Sequence, residues 1–256
     1  MIKNKAFNDF LNEAGNISAF TGRFFKECFR PRYEFGEFLK QCYFIGYKSL
    51  GLVGVTAFIM GLVITMQSRP TLVEFGAEAW LPKMVSVSLI REIAPVITAL
   101  ICAGKIGSGM GAELGSMRVT EQIDAMEVSG TNPFKYLVVT RVFAAILMIP
   151  ILGVLADAIS LYGAYLGCNI HGVVSWQLFW NQVFETNAYT DLIPAVLKTF
   201  FFGLAIGIIG CYKGYTTSKG TEGVGRSANS AVVIASLLVF VLDLIAVQIA
   251  DLLGLT

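Results

Sequence analysis

PKMVSVSLIREIAPVITALICAGKIGSGMGAELGSMRVTEQIDAMEVSGTNP, residues Pro82 to Pro133, decides how the rest of the chain is read. Its first part, Met84 to Cys102, is membrane-length and apolar except for the adjacent Arg91 and Glu92. Charges inside a hydrocarbon-length segment are costly, so this pair is a functional candidate. The second part stacks small residues four apart. Gly107, Gly111 and Gly115 share one helical face, with Ser108, Ala112 and Ser116 beside them, so another backbone can approach closely. The third part predicts a short amphipathic helix, capped by Thr120 and stopped by Gly130 and Pro133. Val119, Ile123 and Met126 share its apolar face, while Glu121, Asp124 and Glu127 share an acidic one. Such a helix either lies on the membrane or acts as a rigid plug that docks into a soluble partner and receives force from it.

Composition agrees with a bilayer setting. Hydrophobic residues make up 55% of the 256 and charged residues only 14%. A net charge of +1 argues against nucleic-acid binding, which requires a concentrated basic face. The five cysteines, Cys28, Cys42, Cys102, Cys168 and Cys211, are odd in number and dispersed, which supports neither a disulfide framework nor a metal cluster. The first residues, MIKNKAFNDFLNEAG, are too polar for the apolar core of a cleavable signal peptide.

Read in order, the chain predicts a single all-α membrane domain over residues 1–256, with an interfacial region (1–46) and a five-span bundle (47–256). Ile17 to Phe44 interleaves aromatic with basic residues, which suits helices lying in the membrane interface and bent at Pro31; a helix packed on a partner is the alternative. Tyr47 to Gln67 is the first span, interrupted by Arg69-Pro70, and Thr71 to Leu81 is an outer segment. Met84 to Cys102 is the second span and Tyr136 to Cys168 the third, with Pro150 inside it. Asn169 to Thr190 reads as an amphipathic outer segment or a cap over a cavity. Leu192 to Tyr212 is the fourth span, Lys213 to Ser230 a polar, glycine-rich loop, and Ala231 to Leu253 the fifth span. In this topology fifteen of the nineteen Lys and Arg residues fall on one side, which predicts that the N-terminus and the acidic helix are cytoplasmic and the C-terminus is outside.

Catalytic signals are missing. His171 is the only histidine and lies in the outer segment, where it reads as an ordinary surface residue; neither a Ser-His nor a multi-histidine metal site can be assembled around it. GSGMG lacks the Lys-Ser/Thr ending of a phosphate loop, so any ATP would be hydrolysed by another subunit. The intramembrane charges carry more information. Counted along their helices, Arg91, Glu92, Asp157, Lys198 and Asp243 all lie about 10 to 16 Å from the same end of the bundle and can share one layer. Ion pairing that holds helices together and contact with a ligand are both open for Asp157, Lys198 and Asp243.

The motif GSxxxAELGxMRVTEQIDAM, with the preceding Arg91, Glu92 and Pro95, resembles the permease subunits of the MlaE/YrbE family, membrane components of ATP-driven lipid transporters that work with MCE proteins. Lys105 stands where the family pattern has Arg, and Thr140 where it has Pro before Arg141. The resemblance implies a homodimer in the inner membrane, two ATPase subunits that bind ATP and Mg, an MCE-domain protein on the outer face and a small accessory subunit on the ATPase. It further implies that Arg91 and Glu92 border a lipid cavity walled by Ile64, Leu72 and Phe75, and that Glu121, Gln122, Ile123, Asp124, Met126 and Glu127 form the ATPase-coupling helix. Neither a cofactor nor a metal is expected in the chain itself. The cargo is read as phospholipid; a permease for a sterol, an ion-coupled carrier using the buried carboxylates and a non-transporting scaffold are the rival readings.

Overall fold

Within a bilayer a backbone finds no hydrogen-bonding partner but itself, and the apolar runs accordingly fold as helices. In the computed structural model, which describes residues 2–30, 34–170, 174–186, 189–218 and 220–254, no strand occurs among the described residues. Helix α1 (Ile2–Cys28) precedes five helical stretches long and apolar enough to cross a membrane. The first joins α2 (Phe35–Cys42) to α3 (Lys48–Glu74) through a π-helical turn at Tyr43–Tyr47. The second contains α4 (Leu81–Ser88), α5 (Ala94–Cys102) and α6 (Ser108–Val119), joined by π turns at Leu89–Ile93 and Ala103–Gly107. Short α7 (Gln122–Val128) follows, and the third crossing enters through a π turn at Phe134–Val139 into α8 (Thr140–Asn169). Helix α9 (Trp176–Thr186) lies at the opposite end, before α10 (Tyr189–Tyr215) and α11 (Thr221–Leu252) form the last two crossings.

Helix α8 is the spine, packed along both α3 and α10, while α6, α10 and α11 form a second packed group. Small residues make these contacts possible. A Cβ on Gly111 would stand 3.1 Å from the Ala228 Cα, so α6 and α11 meet nearly backbone to backbone. The first and fifth crossings turn apolar side chains outward, among them Val55 and Ile59 on α3 and Leu237, Phe240 and Leu244 on α11. Such faces suit lipid or another helix.

Several expectations need correction. Pro70 does not interrupt the first span; α3 continues through it to Glu74, and the turn comes at Gly76, whose φ of +66° lets Ala77 N–H reach the Leu72 carbonyl. Arg69 is instead held by Glu78 across that turn, at 2.6 Å. The segment expected as a polar loop from Lys213 to Ser230 is mostly helix, because α10 runs to Tyr215 and α11 begins at Thr221. One of its serines joins α11 to α6: Ser227 Oγ donates to the Gly111 carbonyl at 3.3 Å. Thr120 does not cap the acidic helix. Its hydroxyl bonds back to the Ser116 carbonyl, ending α6, and Glu121 takes the N-cap place in the left-handed region at φ 58°.

The N-terminal aromatics divide. Phe20 and Phe24 are buried, Phe20 meeting Phe134 and Tyr212 edge-on with centroids 5.0 and 5.5 Å apart, whereas Phe25 and Phe29 are exposed. Arg23 lies 4.2 Å from the Phe134 ring centroid, and Lys213 pairs with Glu13, so α1 is fastened to the ends of the third and fourth crossings. α1, α7 and the α10–α11 turn share one end of the bundle, the basic end. Pro31 and His171 lie outside the described residues.

Candidate functional site

The layer of membrane charges becomes a cluster. The π turn at Leu89–Ile93 contains Arg91 and Glu92, a local widening of the kind often found at functional sites. Glu92 Oε2 accepts from Lys198 Nζ at 2.7 Å, and Asp243 Oδ1 accepts from the same nitrogen at 2.9 Å. One ammonium on α10 therefore ties the second, fourth and fifth crossings together. The Lys198 side chain is 5% exposed, Asp243 19% and Glu92 42%, so the cluster opens on the Glu92 side. Charge-assisted bonds of this length offset part of the cost of taking an ammonium out of water. Asp157 on α8 is buried within electrostatic reach of Lys198, and its Oδ1 has no hydrogen-bond partner. Arg91 sits half-buried beside Glu92.

The expected apolar wall is split. Ile64 and Leu72 pack against a cluster formed by Leu81, Val85, Leu89 and Ile90 with Phe179 and Val183 of α9, on the side of the charged layer away from the basic end. Phe75 stands on the turn after α3 and is 79% exposed. Within one chain Phe75 is not part of that wall.

At the basic end, α7 is docked by its apolar face. Ile123 is fully buried in the main core and Met126 packs against it. Gly130, at φ 76°, closes the helix by letting Thr131 N–H reach the Met126 carbonyl and donating its own N–H to Glu127. Glu121, Gln122, Asp124 and Glu127 all face outward. Asp124 is paired with Arg118 of α6, which leaves Glu121 and Glu127 as the acidic groups turned to the surroundings. The glycine stripe lies behind this helix: Gly107 and Gly111 face α10 and α11, and Gly115 faces Thr217.

Among the ion pairs that sequence reasoning missed, the most deeply buried lies near the basic end. Arg141 is almost wholly buried; its Nη2 donates to Glu113 Oε1 at 2.8 Å and its Nη1 to the Leu137 carbonyl at 3.0 Å. The bond joins α6 to α8 just behind α7. A signal existed, since Glu113 belongs to AELG and Arg141 stands near the start of an apolar run, yet nothing in the spacing pairs residues 28 positions apart. Lys105 donates to the Lys48 carbonyl, and the Thr140 hydroxyl to the Tyr136 carbonyl at 2.6 Å, so both departures from the expected motif are satisfied locally.

With this geometry in hand, comparison with known proteins is decisive. The sequence profile of the family described as Permease MlaE matches residues 38–249. The chain belongs to the MlaE permease family. A probable ABC transporter permease protein of Rickettsia bellii is 38% identical over 227 residues, covering 89% of this chain and 88% of that protein. Another of that description from Synechocystis is 37% identical over 227 residues, covering 88% and 86%. The intermembrane phospholipid transport system permease protein MlaE of Haemophilus influenzae is 33% identical over 220 residues, covering 85% and 84%. The family match takes in the charged cluster, the glycine stripe and α7, and leaves α1 outside. The chain is thus a multi-pass membrane protein of the ABC transporter permease kind.

Proposed function

We propose that the chain is the membrane subunit of an ATP-driven transporter that moves phospholipid between the inner membrane and an MCE-type partner. The observation that carries this reading is the Lys198, Glu92 and Asp243 cluster beside Arg91, set in the membrane layer of an MlaE-family bundle and open on one side. An acyl chain needs only apolar surface, which Ile64 and Leu72 supply, whereas a headgroup or ester backbone needs a few polar partners at fixed depth. Arg91 and Glu92 are those partners. The chain acts as a homodimer, with two ATPase subunits on the basic end and the MCE protein at the other; ATP and Mg belong to the ATPase. Glu121, Gln122 and Glu127, exposed on a helix whose Ile123 is locked in the core, form the surface that receives force. The bias of basic residues supports a cytoplasmic basic end.

Purification of the tagged chain from its native membrane, followed by mass spectrometry of retained subunits and lipids, tests the reading. An ATPase subunit, an MCE-domain protein and phospholipid should be retained together. Lipid transport that survives deletion of the ATPase gene would overturn it in favour of an ion-coupled carrier.

A further inference from the structure

Two cavities adjoin where α1 gives way to the first crossing. One, of about 190 Å³, is walled by Phe35, Phe38, Val139 and Phe143. The other, of about 350 Å³, opens among Glu27, Arg30, Asn132 and Tyr136. Glu34 and Lys135 line both, so the two form one groove with an apolar half and a polar half. Its depth follows from the chain: α2 and the Phe134–Val139 turn are where two crossings begin, which puts the apolar half at the edge of the hydrocarbon and the polar half at headgroup level. Phe35, 69% exposed, marks the same level.

Charge narrows the occupant. Among the described residues, the polar half holds two carboxylates, Glu27 and Glu34, and two cations, Arg30 and Lys135, so both signs of charge that a zwitterion needs are present. Glu27 accepts from Arg30 at 2.8 Å and from Asn132 at 3.0 Å, and Lys135 donates to the Arg30 carbonyl at 2.6 Å. These bonds hold Arg30 and Lys135 at one wall of the groove. Glu34 lines the same groove, is exposed and makes no capping bond to the helix it precedes.

We propose that this groove holds one phospholipid with a primary-ammonium headgroup, drawn from the leaflet at the basic end. An acyl chain lies along Phe35, Phe38, Val139 and Phe143, the phosphate faces Arg30 and Lys135, and the ammonium faces Glu34. The site is separate from the charged cluster in the bundle. Glu27, Arg30 and Glu34 precede the family match, whereas Lys135 lies within it, so the lipid joins the N-terminal helix to the family's common bundle.

The three tryptophans, Trp80, Trp176 and Trp180, all belong to the opposite end, which makes a clean optical test possible. In the full chain with these three changed to Phe, Phe38→Trp places a reporter in the groove and Leu237→Trp, in a separate protein, places one on an outward apolar face of α11. Each is reconstituted in phosphatidylcholine vesicles containing a minor fraction of bromine-labelled phosphatidylethanolamine, phosphatidylglycerol or phosphatidylcholine. The groove reporter should be quenched about threefold more efficiently by the ethanolamine lipid than by the other two, as expected for one or two partly exposed charge contacts, and the α11 reporter equally by all three. Glu34→Gln should move the preference to phosphatidylglycerol; Lys135→Gln should remove all preference and Lys135→Arg keep it. Equal quenching by the three lipids at Phe38→Trp, a preference for phosphatidylglycerol in the unchanged groove, or an ethanolamine preference that survives Glu34→Gln would each overturn the proposal. Should Lys135→Gln not fold, Glu34→Gln decides alone, because Glu34 makes no capping bond whose loss would unfold α2.

Discussion

Lys198 is a side chain on which three crossings depend. Its ammonium is shared by Glu92 and Asp243, so Lys198→Met leaves two carboxylates facing each other in a membrane layer. Loss of one member of a buried ion pair costs about 3 to 5 kcal/mol, and thermal unfolding in detergent should show a loss of that order. Asp243→Asn keeps the Glu92 partner and should cost distinctly less. Equal losses would mean that the two carboxylates do not share the ammonium. Arg141 makes a similar point at the basic end. Glu113→Ala strands a guanidinium that is 2% exposed, at a cost of about 2 kcal/mol, while Glu113→Gln retains an acceptor and should keep at least half of that. Stability of both variants equal to that of the unchanged protein would show that the pair contributes nothing to the fold.

Among the elements, α6 and α7 show what packing decides. Gly111→Leu would drive a side chain into the backbone of Ala228, and overpacking of this kind costs about 1 to 3 kcal/mol. Unfolding and dimer assembly should both suffer; normal assembly would mean that α11 can move away freely. On α7, reversal of Glu121 and Glu127 to Lys should weaken ATPase retention in a pull-down without affecting membrane insertion, since both side chains face outward and neither supports the core. Asp124 is the poorer choice, because its charge is already engaged by Arg118. Spacing put Ile123 and Met126 on one face, where the structure buries Ile123, but it also put Val119 there, and Val119 is the last residue of α6. The join between α6 and α7 was not legible: Thr120 has the chemistry of a cap, and only the fold reveals that Glu121 makes the turn in the left-handed region. The Thr221–Ser230 stretch misled for a related reason. Glycine and serine favour loops in isolation, yet here Ala228 and Ser227 lie against Gly111 of α6, and tertiary contact outweighs local propensity.

For the whole molecule, hydropathy and length were enough for five crossings, because each apolar run must satisfy its own backbone in lipid. Counting along the helices placed five charges in one layer, but it could not say which would pair, since pairing depends on how the helices rotate against one another. That rotation is set by contacts such as α8 against α3 and α10, and it turns Ile64 and Leu72 onto a core cluster while Phe75 stays exposed. The most direct measurement is the amount of phospholipid copurified per folded dimer, wild type against Arg91→Leu combined with Glu92→Met. Lys198 retains Asp243 in this variant, so the bundle should stay folded. Bound lipid and ATP-dependent transport should both fall severalfold as the headgroup loses its polar contacts. Equal lipid and equal transport would reduce the pair to a structural role and refute the reading of the cluster as a lipid site.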